Sequence, residues 1–420
     1  MTALVLFLYV INYADKALLG IIAQPLSEDL GLDHTQIGLV GSVFYATFTV
    51  GGFLAGPLAK YMTLRWALVV LSLAWSAVML PFVITAGFVA LLVGRMLLGL
   101  AEGPAMALMY TATFSWHPPA KRGLPSALLI GSASIAKIAL APVLTFLAIE
   151  YDWRSAFIAL FALGMVWVLC WLLAWQEGPF TAVAVKNDSA GTATDDMRTE
   201  PDVPWSRILC SRTYVTSAIL VAVLSALTTV VLTWLPSYFE QGLGYSRLEA
   251  GSLLVAPAIS ALVVFIISGT VTDRMLQRGS SSRLVRNVVP CVGVMICAVL
   301  LAVLPLIETP VLAVTALSLA YGCGTLAIPL VNASISELCP PQQTAGTMGV
   351  FIAIAGIGSL AAPYVTGVLV DNAETAASGY TLAFQCIGIL AAISAVLVLV
   401  FANPDRDRKL VRRSDESVPA

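Results

Sequence analysis

The stretch GRMLLGLAEG at residues 94–103 places two charged side chains inside an apolar run that extends over about residues 88–114. Arg95 and Glu102 are seven residues apart, or two helical turns, so both project from one helix face, about 10 Å apart along the axis. Gly99 lies between them on the same face and lets a neighbouring helix or a ligand approach closely. A charge at membrane depth costs several kcal/mol unless it is paired or faces water. The stretch therefore indicates either a polar path through a bilayer or a buried structural ion pair.

The composition is that of a membrane protein. Of the 420 residues, 59 % are hydrophobic and 11 % are charged, and the mean hydropathy is +0.91, whereas soluble domains contain about 25 % charged residues. Apolar runs of about 20 residues predict membrane-spanning helices. The sequence has twelve such runs, at approximately residues 3–23, 37–59, 66–85, 88–115, 124–149, 155–175, 213–239, 250–272, 287–307, 310–338, 345–370 and 380–402. We therefore predict an all-α membrane protein with twelve transmembrane helices.

The lysine and arginine residues between the runs predict the orientation, because these residues are enriched in cytoplasmic loops. With the N-terminus in the cytoplasm, 17 of the 22 Lys and Arg residues fall on the inside, and only Arg154 and Arg247 fall on the outside. The other three lie within predicted helices. No charged leader precedes the first run, so a cleaved signal peptide is not expected. The pattern predicts a multi-pass protein of the plasma membrane, most simply a bacterial inner membrane, with both termini cytoplasmic.

The chain repeats itself. LGLDHTQIG at residues 30–38, after the first run, matches LGYSRLEAG at residues 243–251, after the seventh. The polar stretch 177–212 has little to bury and is predicted to be a flexible linker. We therefore expect an N-terminal six-helix bundle at 1–176, a cytoplasmic linker at 177–212, a C-terminal six-helix bundle at 213–403 and a cytoplasmic tail at 404–420. Repeated halves of this kind are typical of secondary transporters, whose substrate site lies near the midplane between them.

A loop motif in the second half carries a family resemblance. GTVTDRMLQRG at residues 269–279 resembles the cytoplasmic motif G-x-x-x-D-R-x-x-x-x-G of the major facilitator superfamily, with Gly269, Asp273 and Arg274 at matching positions. The resemblance extends over essentially the whole chain. It implies the major facilitator fold, in which two pseudo-symmetric six-helix halves form an all-α membrane protein.

The first-half copy of this motif, GPLAKYMTLRW at residues 56–66, is degenerate. It keeps Gly56 and carries Arg65 near its end, but Lys60 stands where the motif has Asp. In the superfamily the motif helps to lock the outward-facing state. The substitution at Lys60 therefore bears on how this protein balances its two states.

Four stretches, taken in order, resemble the anion:cation symporter family within that superfamily. They are NYADK at 12–16, GRMLLGLAEGP at 94–104, FSWHPPAKRG at 114–123 and TWLPSYF at 233–239. That family moves organic anions such as sugar acids and other carboxylates, commonly with protons, and the resemblance implies the same class of activity. Lys16 replaces the usual Arg, Thr229 stands where Tyr is common, and the usual Asn is missing from 350–355. The particular substrates of the family are therefore not implied.

Asp15 and Lys16 are adjacent in the first predicted helix, so their side chains point about 100° apart. Apolar sequence on both sides places them near mid-membrane, although an ion pair at a helix end is the alternative. Asn12 and Tyr13 add polar edges one turn before Lys16. We predict that one of the two charges reaches a neighbouring helix while the other faces a cavity.

Lys137 lies in the apolar stretch GSASIAKIALAP at residues 131–142. A lysine in the middle of a spanning helix is costly, which marks it as functional. Two roles remain open for it. It either contacts a substrate anion directly or neutralises Glu102 or Asp15.

The predicted mid-membrane charges favour an anionic substrate. Three cations, Lys16, Arg95 and Lys137, face two carboxylates, Asp15 and Glu102. The excess is one positive charge when all five are ionised and two when one carboxylate is protonated. A carboxylate substrate balances that excess, so proton and anion binding favour each other. We predict that Glu102 is the proton-coupled group beside the substrate, that Asp15 is a second one which engages Arg95 when ionised, and that the three cations contact the anion.

Uncharged residues complete the predicted substrate site. The second half contributes no charge at mid-membrane, so its predicted contribution is shape and polarity. The residues predicted for the substrate site besides the cations are Asn12, Tyr13, Thr229, Tyr238 and Asn332.

No enzyme chemistry is visible in the sequence. There is no phosphate-binding GxxxxGK[ST] loop, no metal-spaced Cys/His set and no Ser-His-Asp signal, so no cofactor, metal or nucleic-acid partner is expected. The prediction is a monomeric secondary transporter that imports a small organic anion with protons by alternating access, its partners being the anion, protons and the lipid bilayer. The alternatives are an exporter or exchanger of organic anions and, in a different class, a transporter-like membrane sensor.

Overall fold

The computed structural model describes residues 1–84, 87–117, 123–180, 203–277, 284–336, 338–339 and 343–412. These residues form helices joined by short turns, with no strand among them. Twelve helical segments, some interrupted, follow the twelve apolar runs. They are α1, Thr2–Leu30; α2, His34–Gly52 and Ala55–Tyr61; α3, Leu64–Ile84; α4, Phe88–Glu102 and Ala105–Phe114; α5, Gly123–Ile135, Ala136–Leu140 and Ala141–Glu150; α6, Trp153–Ala174; α7, Arg212–Ser237 and Tyr238–Gly242; α8, Arg247–Ser252 and Val255–Gln277; α9, Leu284–Val288 and Val289–Ala302; α10, Pro310–Thr325 and Ala327–Ser336; α11, Thr344–Asp371; and α12, Ala376–Phe401.

Ten helices in the described part of the chain are long and apolar enough to cross a membrane by themselves. The two pieces of α2, His34–Gly52 and Ala55–Tyr61, are bent by 44° and make an eleventh span if they are taken together. The apolar helix Val289–Ala302 in α9 is shorter. Every predicted apolar run therefore has a helical counterpart, but the second and ninth are broken or short. Two short helices, Trp205–Leu209 and Pro404–Val411, lie outside the spans.

The sequence repeat is also a structural repeat. Gly31, which ends α1, and Gly244, which follows α7, both have left-handed backbone angles, with φ of 63° and 76°. Two residues later each copy starts a helix with a capping box, from Asp33 to Gln36 in one and from Ser246 to Glu249 in the other. Glycine tolerates a positive φ without a steric penalty, and the capping box satisfies amide groups at the helix start. The matching stretches at 30–38 and 243–251 thus form the same turn.

The chain divides into two compact units. The first comprises Met1–Asp196 together with Val231–Val255 and Pro363–Ala377, which come from α7, α8 and α11. Within it, α1 packs against α5 and α6, α2 packs against α4, and the start of α8 packs against the end of α5. The second unit comprises Met197–Val230, Ala256–Ala362 and Ser378–Ala420. The predicted linker lies mostly at residues 181–202, outside the described residues.

The second unit has its own hydrophobic core. Tyr214 and Leu224 of α7, Val294 of α9, Phe351 of α11 and Ala391 of α12 are buried together in it. The Tyr214 and Phe351 rings meet edge to face with centroids 5.5 Å apart, a favourable arrangement of two aromatic rings. The core holds the first half of α7 against α9, α11 and α12.

Candidate functional site

The charged face of α4 is buried in the first unit. Arg95, Leu98, Gly99 and Glu102 all belong to its buried side, as the two-turn spacing predicts. Gly99 lies against α2, where a Cβ atom would collide with the Phe44 carbonyl oxygen. A glycine at this position therefore lets α2 and α4 approach closely, as small residues do between membrane helices.

Replacing Gly99 with Ala should lower the unfolding temperature of the purified protein, because the added methyl group overpacks the contact between α2 and α4. The expected loss is about 1–3 kcal/mol. Gly131 in α5 is a matched control, since a Cβ there meets nothing within 4 Å. Ala at Gly131 should leave stability unchanged or raise it, because alanine favours helix over glycine by about 1 kcal/mol. Equal melting temperatures for the two variants would contradict the packing argument.

Glu102 is paired with Lys16 of α1. The carboxyl group is fully buried, and its Oε2 atom lies 3.5 Å from the Lys16 Nζ atom. The same ammonium group donates a hydrogen bond of 2.7 Å to the Asn12 side-chain oxygen and lies 4.6 Å from the centre of the Phe48 ring. Lys16 is thus held in position by one carboxylate, one amide and an aromatic face. Of the two adjacent charges in α1, Lys16 is the one paired with a carboxylate on another helix.

Asp15 is buried next to this pair. Neither oxygen of its carboxyl group accepts a hydrogen bond from another described residue. The structure therefore places two buried carboxyl groups, those of Asp15 and Glu102, beside Lys16 in the first unit.

Arg95 is near these carboxyl groups without forming an ion pair to any carboxylate that the structure describes. Its guanidinium lies 5.8 Å from the centre of the Phe44 ring, and its Nη2 atom has no hydrogen-bond partner among those residues. The expected engagement of Asp15 by Arg95 is not formed in this conformation. A buried guanidinium with a donor atom to spare can accept an anion.

Lys137 lies in the π-helical turn Ala136–Leu140 of α5 and is buried. A π-helical turn is frequent at functional sites, and Pro142 follows this one at the start of the next helix. The Lys137 ammonium group lies 5.5 Å from the centre of the Tyr13 ring, and the Lys16 ammonium group lies 5.9 Å from the same ring. Tyr13 therefore brings Lys137 and Lys16 to one aromatic side chain.

Three further predicted substrate residues are distributed over both units. Tyr238 belongs to the first unit and is buried at the start of the π-helical end of α7. Thr229 and Asn332 belong to the second. The Thr229 hydroxyl donates to carbonyl groups of its own helix, those of Ser225 and Ala226. The Asn332 side-chain oxygen is buried and accepts no hydrogen bond from the residues described.

The first copy of the cytoplasmic motif has a clear structural role at one residue. The Arg65 Nη2 atom donates a hydrogen bond of 2.9 Å to the Leu172 carbonyl group at the end of α6, where a cation also complements the helix dipole. Lys60 is exposed and lies over the Tyr61 ring, and Gly56 has open space around it. Arg65 therefore ties α3 to α6.

In the second copy of the motif, Gly269 and Asp273 lie within the helix Val255–Gln277, and their side-chain surroundings are outside the described part. Arg274 is exposed near the end of that helix.

A hydrogen-bond network that no sequence pattern predicted surrounds Asp371, the last residue of α11. Its Oδ1 atom accepts from the His34 backbone and lies 2.8 Å from the His34 Nδ1 atom. Its Oδ2 atom accepts from the Thr35 backbone and the Thr35 hydroxyl. The other ring nitrogen of His34 is 3.2 Å from the Gln241 side chain, which in turn contacts Gln24. We call His34, Thr35, Asp371, Gln241 and Gln24 the latch; it joins α1, α2, α7 and α11 within the first unit.

A comparison with protein families decides which family this is. The sequence profile of the Major Facilitator Superfamily matches residues 5–328 and 316–419. The chain belongs to the Major Facilitator Superfamily. It is a transporter of that superfamily and not an enzyme, and the predicted fold class is confirmed.

Similar proteins narrow the class within the superfamily. The hexuronate transporter of Bacillus subtilis is 28 % identical over 95 % of this chain and 94 % of its own length. A protein of Cupriavidus necator named "Probable sulfoacetate transporter SauU" is 27 % identical over 94 % of this chain and 92 % of its own. A crystal structure of a bacterial homologue of the human lysosomal transporter Spinster shares the fold, with a TM-score of 0.78 at 16 % identity over 99 % of this chain and 98 % of that one. The resemblance to the anion:cation symporter family is confirmed, since the relatives are transporters of organic anions.

Proposed function

We propose that this protein is a proton-coupled symporter that imports a small organic anion, a carboxylate, by alternating access. The observation that carries the proposal is the buried pair of Lys16 and Glu102, 3.5 Å apart, with Asp15 beside it. If the Lys16 charge is neutralised by the Glu102 carboxylate in one state and by the substrate anion in another, protonation of Glu102 is coupled to substrate binding. The names of the similar transporters support the anionic substrate.

The coupling follows from charge. With Glu102 ionised, its carboxylate competes with the substrate for the Lys16 ammonium group. Protonation of Glu102 removes that competitor and leaves Lys16, Arg95 and Lys137 with a larger positive excess. The proton therefore strengthens anion binding, and by linkage the anion strengthens proton binding. Loading both together and releasing both together is the requirement for symport.

The proposal includes the orientation and the organisation of the chain. Both termini lie in the cytoplasm, because Lys and Arg residues concentrate on that side. The membrane is a plasma membrane, most simply a bacterial inner membrane. The halves 1–176 and 213–403, joined by the linker 177–212, act as the two moving bundles of a monomer. Thr229 and Asn332 of the second half are proposed substrate residues as well.

A thermal-shift screen of the purified protein tests the substrate class. Glucuronate and glucose are a matched pair, since they differ at one carbon in having a carboxylate or a hydroxymethyl group. Glucuronate, an aldarate or sulfoacetate should raise the unfolding temperature, because a ligand that binds only the folded state stabilises it. Glucose should not. Equal stabilisation by glucuronate and glucose would contradict recognition of the anionic group.

In this orientation the latch lies at the extracellular end, where it holds α7 and α11 against α1 and α2. Replacing Asp371 with Asn should weaken it, because the acceptor of the His34 and Thr35 hydrogen bonds loses its charge. The extracellular end should then open more often. In a cysteine-free background, a cysteine at Thr233, which is buried in α7 beside Gly41, should react about tenfold faster with a membrane-impermeant thiol reagent. One factor of ten corresponds to about 1.4 kcal/mol.

The control for this prediction is Asp29→Asn. Asp29 forms an ion pair of 3.0 Å with Arg154, but both residues belong to the first half of the sequence, so breaking it should not release α7 or α11. Equal labelling rates in Asp371→Asn and Asp29→Asn would show that the latch does not hold this end shut.

A further inference from the structure

A cavity of about 650 Å³ lies in the second unit, away from the mid-membrane charges. It is bordered by the start of α7 and by the two short helices Trp205–Leu209 and Pro404–Val411. The residues that line it are Ser206, Arg207, Cys210, Ser211, Arg212, Arg406, Asp407, Leu410 and Val411. Its size is in the range of small-molecule sites. The proposed transport mechanism uses none of these residues.

The cavity is built on a fixed frame. Asp407 is buried, and its carboxylate accepts hydrogen bonds of 2.9 and 2.7 Å from the Thr213 backbone and hydroxyl groups and one of 2.8 Å from the Arg406 Nε atom. Burial alone raises the pKa of Asp407, but these hydrogen bonds outweigh it and leave the pKa below its ordinary value. The short helix Pro404–Val411 is thereby tied to the first residues of α7.

The cavity is positively charged. Among the described residues that line it, three arginines, Arg207, Arg212 and Arg406, accompany one carboxylate, that of Asp407. Arg406 is held by Asp407 and by the Phe401 carbonyl group at 3.0 Å. The Arg212 guanidinium is exposed and forms no hydrogen bond or ion pair with the residues that the structure describes. A guanidinium that has no partner among the described residues can bind phosphate through two parallel hydrogen bonds.

The position of the cavity favours a ligand that has an apolar part. It lies where two apolar helices end, since α7 begins at Arg212 and α12 ends at Phe401, so it is at the level of the membrane surface. Trp205 and Leu410 are exposed beside it, 44 % and 55 % accessible. Tryptophan is enriched at membrane interfaces, and short helices with one basic face lie in the plane of anionic lipid surfaces.

We propose that this cavity binds the headgroup of an anionic phospholipid. Arg212 and Arg406 bind the phosphate, while Trp205 and Leu410 contact the glycerol backbone and the upper acyl chain. A phosphomonoester in solution offers the same phosphate without the apolar part. The lipid is favoured because the arginines adjoin exposed apolar side chains at the end of membrane-spanning helices.

Lipid binding to the purified full-length protein tests the proposal. Phosphatidylglycerol, phosphatidylcholine and glycerol 3-phosphate are compared by native mass spectrometry and thermal shift. Wild type should bind phosphatidylglycerol at least tenfold more tightly than phosphatidylcholine and should not respond to glycerol 3-phosphate at the same concentration. Arg212→Gln should remove most of this preference while leaving the melting temperature in phosphatidylcholine unchanged, because the exposed Arg212 guanidinium forms no hydrogen bond or ion pair with the described residues.

The matched control is Arg408→Gln, which removes the same charge from an exposed residue of the same short helix that does not line the cavity. It should keep the preference within about twofold. If Arg212→Gln and Arg408→Gln lost the preference for phosphatidylglycerol equally, the preference would come from general surface charge. That result would overturn the proposed site. A response to glycerol 3-phosphate as strong as that to phosphatidylglycerol would overturn the lipid assignment, and so would equal binding of the two lipids.

Discussion

Replacing Glu102 with Gln should abolish accumulation of the anion driven by a pH gradient. The side chain is fully buried and lies 3.5 Å from Lys16, and Asp15 is buried close by. Glutamine keeps the size and one acceptor oxygen but cannot gain or lose a proton. In proteoliposomes with an inward proton gradient, the internal anion concentration should therefore rise to that outside and no further.

An exchange assay distinguishes the loss of proton coupling from the loss of transport itself. Counterflow of labelled against unlabelled anion needs no net proton movement, so Glu102→Gln should keep it within about tenfold of wild type. Glu150→Gln is the control, since Glu150 is an exposed residue at the end of α5; it should accumulate anion normally. A Glu102→Gln protein that still concentrates anion would exclude Glu102 as the coupling group.

Lys137→Ala should have the second largest effect, a loss of about tenfold to a hundredfold in anion affinity. A hydrogen bond to a charged group contributes about 1.5–3 kcal/mol, and tenfold in affinity corresponds to about 1.4 kcal/mol. The buried ammonium group lies beside the Tyr13 ring that it shares with Lys16. Isothermal titration of the purified protein measures the loss. Lys409→Ala, which removes an exposed lysine from a helix outside the spans, should leave the affinity unchanged.

The double variant Lys137→Ala with Glu102→Gln distinguishes the two roles of Lys137. If Lys137 contacts the anion, the double variant should bind far more weakly than Glu102→Gln alone. If Lys137 only neutralises Glu102, the Glu102→Gln variant no longer needs that positive charge. The double variant and Glu102→Gln should then bind the anion equally. Equal affinities would therefore remove Lys137 from the substrate site.

The parts of the fold that depend on local pattern could be predicted from the sequence. The lengths of the apolar runs located the membrane-spanning helices, and a spacing of seven residues placed Arg95 and Glu102 on one face of α4, which is buried. The repeated stretches at 30–38 and 243–251 form equivalent turns, because glycine angles and capping boxes are set by a few neighbouring residues. The break in α2 at Phe53 and Leu54 was not predicted, although the Gly51-Gly52 pair just before it is a turn signal.

The contacts between distant helices could not be derived in this way. The apolar sequence on both sides placed Lys16 near mid-membrane, but it did not indicate that Glu102 rather than another carboxylate would be its partner. The His34–Asp371 contact joins residues 337 positions apart, and each of them is an ordinary polar residue at a helix end. A single sequence indicates local structure and which face of a helix is buried. Which distant residue a side chain contacts depends on the packing of whole helices.

Proton movement with the anion is the most direct test of the account. Wild-type protein is reconstituted into vesicles that contain a pH-sensitive dye, with no imposed pH gradient and with the membrane potential clamped. Adding an anion that the thermal-shift screen identifies should acidify the interior in step with its entry, and Glu102→Gln should show no acidification. Entry of the anion into wild-type vesicles without any change of internal pH would contradict proton symport.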